Sequence, residues 1–236
     1  MSEKPRMALS HSRLSDFNQC PKKFWHKYID KTPNFKEEGT SPHLVRGTNV
    51  HKALENYVIK KSAGEEGIRT STLPEVEVGK ALADSLYKTY TDILPEAQVA
   101  INDQWKQSEW FGKDAYYRAI YDMICLRSED VMIVDWKTGK YVEYTPSTGY
   151  GQLELSAAIA LNLWPDTAAI HTVYAYVDHR KTIKKTYTRA DKPRLVEWFQ
   201  KEHAKVNAET NFDPTPNEWC RWCAATKLQC PYSRKL

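Results

Sequence analysis

The sequence has no apolar run that approaches the ~20 residues a membrane-spanning helix requires. Its first residues, Met1 to Arg6, lack the apolar segment of a secretory signal peptide. No internal repeat or low-complexity segment is evident in the 236 residues. These absences favour a soluble protein of the cytoplasm without a membrane partner. The length allows one large domain, or one domain with an appended lobe.

Charge of one sign is not in large excess. The chain has 34 Lys and Arg against 30 Asp and Glu, a formal net charge of +4. A mildly basic protein permits a polyanionic partner without requiring one. Aromatic residues are plentiful, with eight Trp and 14 Tyr. Some of them, such as Trp110 and Phe111, could stack on unpaired bases, although packing in a core is their more ordinary use.

Cysteine is scarce, and its count of five is odd. An odd count without an export signal argues against a disulfide framework. Cys220 and Cys223 are separated by two residues, Cys230 follows, and Cys20 lies near the other end of the chain. Four thiolates suit an iron–sulfur cluster such as [4Fe–4S], or tetrahedral Zn²⁺, and either would tie the two chain ends together. Reduced, buried cysteines are the alternative, and Cys125 is expected to be a small core residue.

Hydrophobic periodicity predicts the order of helices and strands. Helices are expected from Ser12 to a break at Cys20-Pro21, and over 48–58, 75–93, 152–163 and 192–208. Pro95 is expected to end the third helix. Strands are expected over 97–101, 116–126, 131–135, 168–177 and 183–189. This order predicts a mixed α/β fold, a mixed sheet with helical cover.

One short stretch, from Ile133 to Lys140, carries the strongest chemical signal. An apolar strand ends in Asp135-Trp136-Lys137, so both charged side chains leave one face of the strand. Thirteen positions upstream, Asp122 closes another apolar stretch, and the two aspartates could converge on one Mg²⁺. The metal would activate water and Lys137 would assist its attack on a phosphodiester. The alternative is that these are ordinary residues of strand ends and turns.

Two further residues are candidates because of their positions. His51 lies one helical turn before Glu55 and could bind Mn²⁺, for which imidazole is a good ligand. Alone, it reads more simply as a surface or core residue. Gln152 opens a largely apolar helix and could contact a phosphate or the attacking water, or serve as a capping residue.

Together these motifs resemble the PD-(D/E)XK nuclease superfamily, and within it the RecB-type nucleases that carry an iron–sulfur cluster, such as the AddB subunit and the CRISPR-adaptation exonucleases. The resemblance rests on four motifs: Ser12-x-Leu14-x-x-Phe17-x-x-Cys20-Pro21, Gly47-x-x-x-His51-x-x-x-Glu55, Asp122 with Asp135-Trp136-Lys137-Thr138-Gly139, and Cys220-x2-Cys223-x6-Cys230-Pro231. It departs from the family at Ala119, where glycine is usual, and at Ser156, where the family has tyrosine.

The resemblance implies a restriction-endonuclease-like core with Mg²⁺ or Mn²⁺ bound by His51, Asp122, Asp135 and the Trp136 carbonyl, and catalysis by Lys137 with Gln152. It implies a [4Fe–4S] cluster on Cys20, Cys220, Cys223 and Cys230 that clamps the chain ends. We expect one nuclease domain over 1–236, comprising a helical region over 1–94, a core over 95–208 and a cluster-binding tail over 209–236.

The expected activity is that of a metal-dependent DNA exonuclease acting on single strands or DNA ends in recombination, repair or processing. A helicase or recombination protein is a possible partner. The competing expectation is a module that binds DNA ends or a partner helicase, with a weak or silent nuclease site, and the tyrosine missing at Ser156 motivates it. A zinc-stabilised nuclease without iron is a third.

Overall fold

A mixed six-stranded sheet forms the centre of the structure. The structure is a computed structural model, and it describes residues 7–33, 35, 42–143 and 151–234. The strand order across the sheet is β2-β1-β3-β4-β5-β6. The strands are β1 (Asp92–Ile101), β2 (Gln107–Ser108), β3 (Tyr117–Leu126), β4 (Asp130–Lys137), β5 (Ala169–Tyr176) and β6 (Lys181–Tyr187).

Helices cover both faces of this sheet. They are α1 (His11–Gln19), α2 (Pro21–Phe24), α3 (Pro42–Ser62), α4 (Pro74–Thr89), α5 (Gln152–Leu163) and α6 (Lys192–Ala208), with a π-helical turn (Trp25–Ile29) and 3₁₀ turns (Arg189–Asp191, Glu218–Trp222). Within the described ranges, no helix is both long enough and apolar enough to cross a bilayer.

The connections explain why the sheet is mixed. Strands β3 and β4 form an antiparallel hairpin, and β5 and β6 form another. Strands β4 and β5 are parallel, and α5 is the crossover that a parallel pair requires.

Two hydrophobic cores lie on opposite faces of the sheet. One packs α1, α5 and α6 against it, with Leu14, Ile159 and Leu195 among its buried residues. The other packs α3 and α4, with Leu54 and Val76 fully buried. The expected mixed α/β fold, a sheet with helical cover, is confirmed.

The prediction was wrong about where α3 begins. The helix starts at Pro42, not at Thr48. Proline suits a first helical turn because its missing N–H has no helical partner there. Leu44 and Val45 in this turn are exposed, and the buried face begins at Gly47 and Val50. The first turns of α3 bury no apolar residue, so the pattern of apolar residues in the sequence could not show that the helix begins there.

The border between α4 and β1 was also predicted wrongly. The helix ends at Thr89, and Ile93 and Leu94 belong to β1, where they pair with Cys125 and Ile124. Pro95 lies inside β1 and does not end the helix. β2 pairs with β1 only at Ala100 and Ile101, so β1 is an edge strand at Pro95, where a missing N–H is tolerated.

The predicted break at Cys20-Pro21 is confirmed. Cys20 is extended, with φ of −165° and ψ of 112°, and Pro21 starts the next helix. The short β2 was not predicted, and β6 begins two residues earlier than expected. The sequence also predicts loops over 31–42 and 141–148, and these ranges lie in part outside the described residues.

The two ends of the described chain meet beside α1. The Asn217 side chain donates to the Gln19 carbonyl oxygen at 2.9 Å, and the Thr215 N–H lies 3.4 Å from Sγ of Cys20. The carboxy-terminal segment is thereby attached to the residue at which α1 ends.

Candidate functional site

The candidate site lies where the β3–β4 hairpin opens. The ladder between these strands ends at the pair Met123–Val134, although β4 continues to Lys137. Asp122 and Asp135 are the first residues beyond the ladder, one on each strand. Oδ2 of Asp122 accepts the Trp136 N–H at 2.6 Å and so replaces the missing ladder bond.

The same opening orients the Trp136 carbonyl. The N–H and C=O of one strand residue point to the same side, and the Trp136 N–H points to Asp122. The neighbouring Lys137 carbonyl points the other way and accepts from the Val177 N–H at 3.1 Å. The Trp136 carbonyl therefore faces the gap between β3 and β4, while its indole is fully buried and anchors the strand.

Asp135, Lys137 and Gln152 form one hydrogen-bonded group. Nζ of Lys137 lies 2.6 Å from Oδ2 of Asp135, and the two groups form an ion pair. The Gln152 amide donates to Oδ1 of Asp135 at 2.6 Å and accepts from Lys137 at 3.1 Å. Burial, reinforced by Asp122 and opposed by Lys137, raises the pKa of Asp135.

His51 approaches the gap from α3, on the other face of the sheet. Its Nδ1 lies 3.7 Å from Oδ1 of Asp122, and the side chain is 38% exposed. The Asp122 carboxylate raises the pKa of His51. Gly47, one turn earlier, permits this approach, because a Cβ there would lie 2.7 Å from Oγ1 of Thr138.

The donor set can be tested against the metal that it suggests. An imidazole nitrogen, two carboxylates and a carbonyl facing one gap suit Mn²⁺, and the oxygen atoms suit Mg²⁺. In the part of the chain that the structure describes, no three His, Cys, Asp or Glu side chains are close enough to hold a metal as they stand. The aspartates are instead paired with His51, Trp136, Lys137 and Gln152. The types of donor atom suit Mg²⁺ or Mn²⁺. To bind the metal, the two aspartates must exchange their present hydrogen bonds and ion pairs for metal contacts.

Tyr174 belongs to this group and was missed by the sequence analysis. It pairs with Asp135 across the parallel β4–β5 ladder. Nζ of Lys137 lies 4.6 Å from the centre of the Tyr174 ring, and the hydroxyl donates to Oε1 of Gln152 at 3.4 Å. Only the β4–β5 register could have revealed it.

Glu96 is a second residue that was missed. Pairing between β1 and β3 continues on both sides of Glu96 and Asp122, and Glu96 has a positive φ of 46°. Burial and the carboxylates of Asp122 and Glu55 raise the pKa of Glu96 to about 7. The predicted strand began after Glu96, so the sequence did not place Glu96 opposite Asp122.

His11, the first residue of α1, was missed as well. Burial and the nearby Lys137 ammonium lower its pKa to about 4. Its ring is therefore neutral at neutral pH. A histidine at the start of a helix has no distinguishing pattern in one sequence.

The four expected cluster cysteines line one cavity of about 400 Å³. Burial raises the pKa of Cys223, and Cys20 and Cys230 act in the same direction. Four sulfur donors around one cavity fit Zn²⁺ or an iron–sulfur cluster in kind, although among the described residues they do not stand close enough to hold a metal. Cys125 is fully buried in a core, as expected.

Comparison with known proteins assigns the chain to a family. The sequence profile of the PD-(D/E)XK nuclease superfamily matches residues 8–231. A comparison with curated proteins finds no match. A solved structure described as "Crystal structure of SSO0001" is 14% identical, with a TM-score of 0.48 over 99% of this chain and 89% of that chain.

The profile spans both cores and the whole sheet, and the mixed sheet flanked by helices is consistent with a restriction-endonuclease-like fold. Proteins of that superfamily are generally nucleases and typically use Mg²⁺ or Mn²⁺. The chain belongs to the PD-(D/E)XK nuclease superfamily.

Proposed function

We propose that this protein is a metal-dependent DNA exonuclease that hydrolyses phosphodiester bonds in single strands or at DNA ends. The observation that carries the proposal is the opening of the β3–β4 ladder. It places Asp122 and Asp135 side by side, with Lys137 and Gln152 hydrogen-bonded next to them.

His51, Asp122, Asp135 and the Trp136 carbonyl would hold Mg²⁺ or Mn²⁺. The metal would polarise the phosphate and lower the pKa of the attacking water. The neighbouring Lys137 ammonium lowers the energetic cost of keeping the buried Asp135 ionised, as metal binding requires.

Lys137 and Gln152 would position the water and the phosphate. Nζ of Lys137 can donate to a phosphate oxygen or to the water while Oε1 of Gln152 fixes its direction. Gln152 is also the first residue of α5, whose N-terminal end carries unpaired N–H groups and a positive partial charge. A phosphate at this end of α5 would be stabilised by the N–H groups and by the partial charge.

For the tail we propose a [4Fe–4S] cluster on Cys20, Cys220, Cys223 and Cys230, with Zn²⁺ as the alternative. The shared cavity and the attachment of Asn217 to Gln19 support a role in clamping the chain ends. The domain would then be a single unit over 1–236, in which the helical region (1–94) and the tail (209–236) are joined around the core (95–208). Recombination, repair or DNA processing, with a helicase as a possible partner, is the context that this activity suits.

Time courses on DNA labelled at either end test the activity. With Mn²⁺, an exonuclease releases labelled mononucleotides at once from one end, and label at the other end appears only in progressively shorter strands. Internal fragments as the first products would contradict exonuclease action. No metal-dependent product of any length would contradict a nuclease.

The second candidate is a module that binds DNA ends or a helicase. Ser156 at the expected tyrosine position favours it, since this serine is buried and has no ring to offer the site. Tight DNA binding without cleavage in Mg²⁺ or Mn²⁺ would favour this candidate over the exonuclease.

A further inference from the structure

A groove runs along α1 away from the candidate metal centre. Its first cavity, about 530 Å³, is lined by Arg13, Arg118, Trp110 and Gln152. A second cavity, about 630 Å³, continues beyond His11 and is lined by Trp198 and Trp219. His11 and Leu155 line both, so the two cavities lie next to each other. We call these two cavities the α1 groove.

Two arginines of the first cavity lack a carboxylate partner among the described residues. The Arg13 guanidinium donates to the Ala8 carbonyl oxygen at 2.5 Å and lies over the Tyr28 ring. Nε of Arg118 is buried and has no hydrogen-bond partner within the described ranges. Burial and the proximity of Arg118 lower the pKa of Arg13, so the two cations repel each other. Two unneutralised guanidinium groups beside one cavity suit an anion.

Aromatic rings continue this surface. The Arg118 guanidinium lies 5.8 Å from the centre of the Trp110 ring in the first cavity. Trp198 and Trp219, in the second cavity, are 37% and 52% exposed. Indole rings beside cations are the usual surface for unpaired bases and their phosphates.

The volume of each cavity indicates what size of ligand it can hold. Both fall within the range of about 300–1,000 Å³ that holds small-molecule ligands, so each fits a nucleotide or two and neither fits a duplex. The groove starts at Gln152, which is bonded to Asp135 and Lys137. A strand lying in it would therefore extend directly from the phosphate proposed for cleavage.

We propose that the α1 groove binds a single nucleic-acid strand, with a phosphate at Arg13 and Arg118, a base on Trp110, and further bases on Trp198 and Trp219. This inference rests on the proposed nuclease function, since it specifies the form in which that site receives its substrate.

Fluorescence anisotropy of labelled oligothymidylate, about 12 nucleotides long, in EDTA tests the groove apart from catalysis. Trp219→Ala should weaken binding about tenfold, and Trp219→Phe, which keeps a ring, by less. Arg118→Gln should weaken binding and make the negative slope of log K against log salt shallower by about 0.7, the value of one phosphate contact to a single strand. Arg118→Lys should retain the slope.

The matched control is Arg189→Gln, an exposed arginine that lines neither cavity. It should bind like the wild type. Blunt duplex DNA should compete poorly with the labelled oligothymidylate. The same measurement with labelled oligouridylate shows whether the groove binds DNA, RNA or both. Circular dichroism of each variant excludes unfolding as the cause of weaker binding.

Wild-type binding by Arg118→Gln and Trp219→Ala, or equal weakening by Arg189→Gln, would overturn the proposal. Parallel cleavage assays separate it from the nuclease function. If the wild type cleaves DNA and the groove variants bind normally, the groove proposal is contradicted and the nuclease proposal is not. Binding that the variants lose, without any cleavage by the wild type, supports the groove and contradicts the nuclease.

Discussion

At the scale of single residues, the local portion of the candidate site could be predicted and the portion brought by other strands could not. Asp135 and Lys137 are two residues apart on one strand, so their shared face follows from strand geometry alone. Tyr174 and His11 reach Lys137 from distant positions in the sequence. Their proximity depends on the β4–β5 register and on the docking of α1, which a single sequence does not reveal.

Tyr174 provides a prediction at this scale. Its ring lies over Nζ of Lys137, and its hydroxyl bonds Gln152. Tyr174→Ala should lower kcat about tenfold, because Lys137 loses a cation–π contact of about 1 kcal/mol and its fixed direction. Tyr174→Phe keeps the ring and should lose less than about threefold. Single-turnover cleavage measures both, and equal losses in the two variants would contradict a role for the ring.

At the scale of secondary-structure elements, the existence of helices and strands was predictable, and their ends were less so. The continuous apolar stretch of α5 and the spaced apolar residues of α6 indicated where these helices lie, since both bury one face or more from their first turns. The first turn of α3 is exposed and Pro95 lies in an edge strand, so neither followed the usual signals.

Asp178 connects the elements that frame the site. Its carboxylate accepts from the Arg46 guanidinium of α3 at 3.0 and 3.1 Å and from the Gly139 N–H, just after β4, at 2.7 Å. Asp178→Ala should lower kcat about ten- to a hundredfold, because α3 with His51 and the end of β4 lose their common anchor. The fully exposed Asp166 is the matched control.

Cleavage rates and Mn²⁺ affinity should be measured for both variants. Asp166→Ala should behave like the wild type in each assay. Unchanged kcat in Asp178→Ala would contradict the anchoring role.

Asp16 provides a pH-dependent prediction for α1. Burial alone would raise its pKa, but hydrogen bonds from Lys27 and Tyr28 outweigh burial and lower it. A lowered pKa stabilises the fold above the unfolded-state value of about 3.9, and this stabilisation is lost as the pH falls through the folded-state pKa. Asp16→Asn should cost about 2 kcal/mol at pH 7 and less below pH ~4.

Urea unfolding at several pH values measures this difference. A constant difference between wild type and Asp16→Asn from pH 7 to pH 3 would show that the carboxylate charge contributes nothing.

At the scale of the whole molecule, the meeting of the chain ends was predicted only through the cysteines. Cys20 and the carboxy-terminal cysteines line one cavity although about two hundred residues separate them. The bonds that attach the tail, such as the one from Asn217 to Gln19, involve common residues in no recognisable pattern.

The cysteine cavity predicts a bound metal that one substitution removes. Protein purified without oxygen should contain iron and sulfide, with a broad visible absorption, or about one zinc. Cys220→Ala should lose this metal and unfold at a lower temperature. Cys125→Ala, which changes a buried cysteine in a separate core, should retain it. Equal metal content in wild type and Cys220→Ala would contradict a cysteine-bound metal.

The central claim is that the opening of the β3–β4 ladder is a metal-dependent hydrolytic centre. Its most direct test is single-turnover cleavage of end-labelled single-stranded DNA in Mn²⁺ by wild type, Lys137→Ala and Lys140→Ala. Lys140 is an exposed lysine three residues beyond Lys137 and serves as the control. We predict that Lys137→Ala cleaves about a hundredfold or more slowly while folding normally, and that Lys140→Ala cleaves like the wild type. Equal rates in wild type and Lys137→Ala would contradict the assignment.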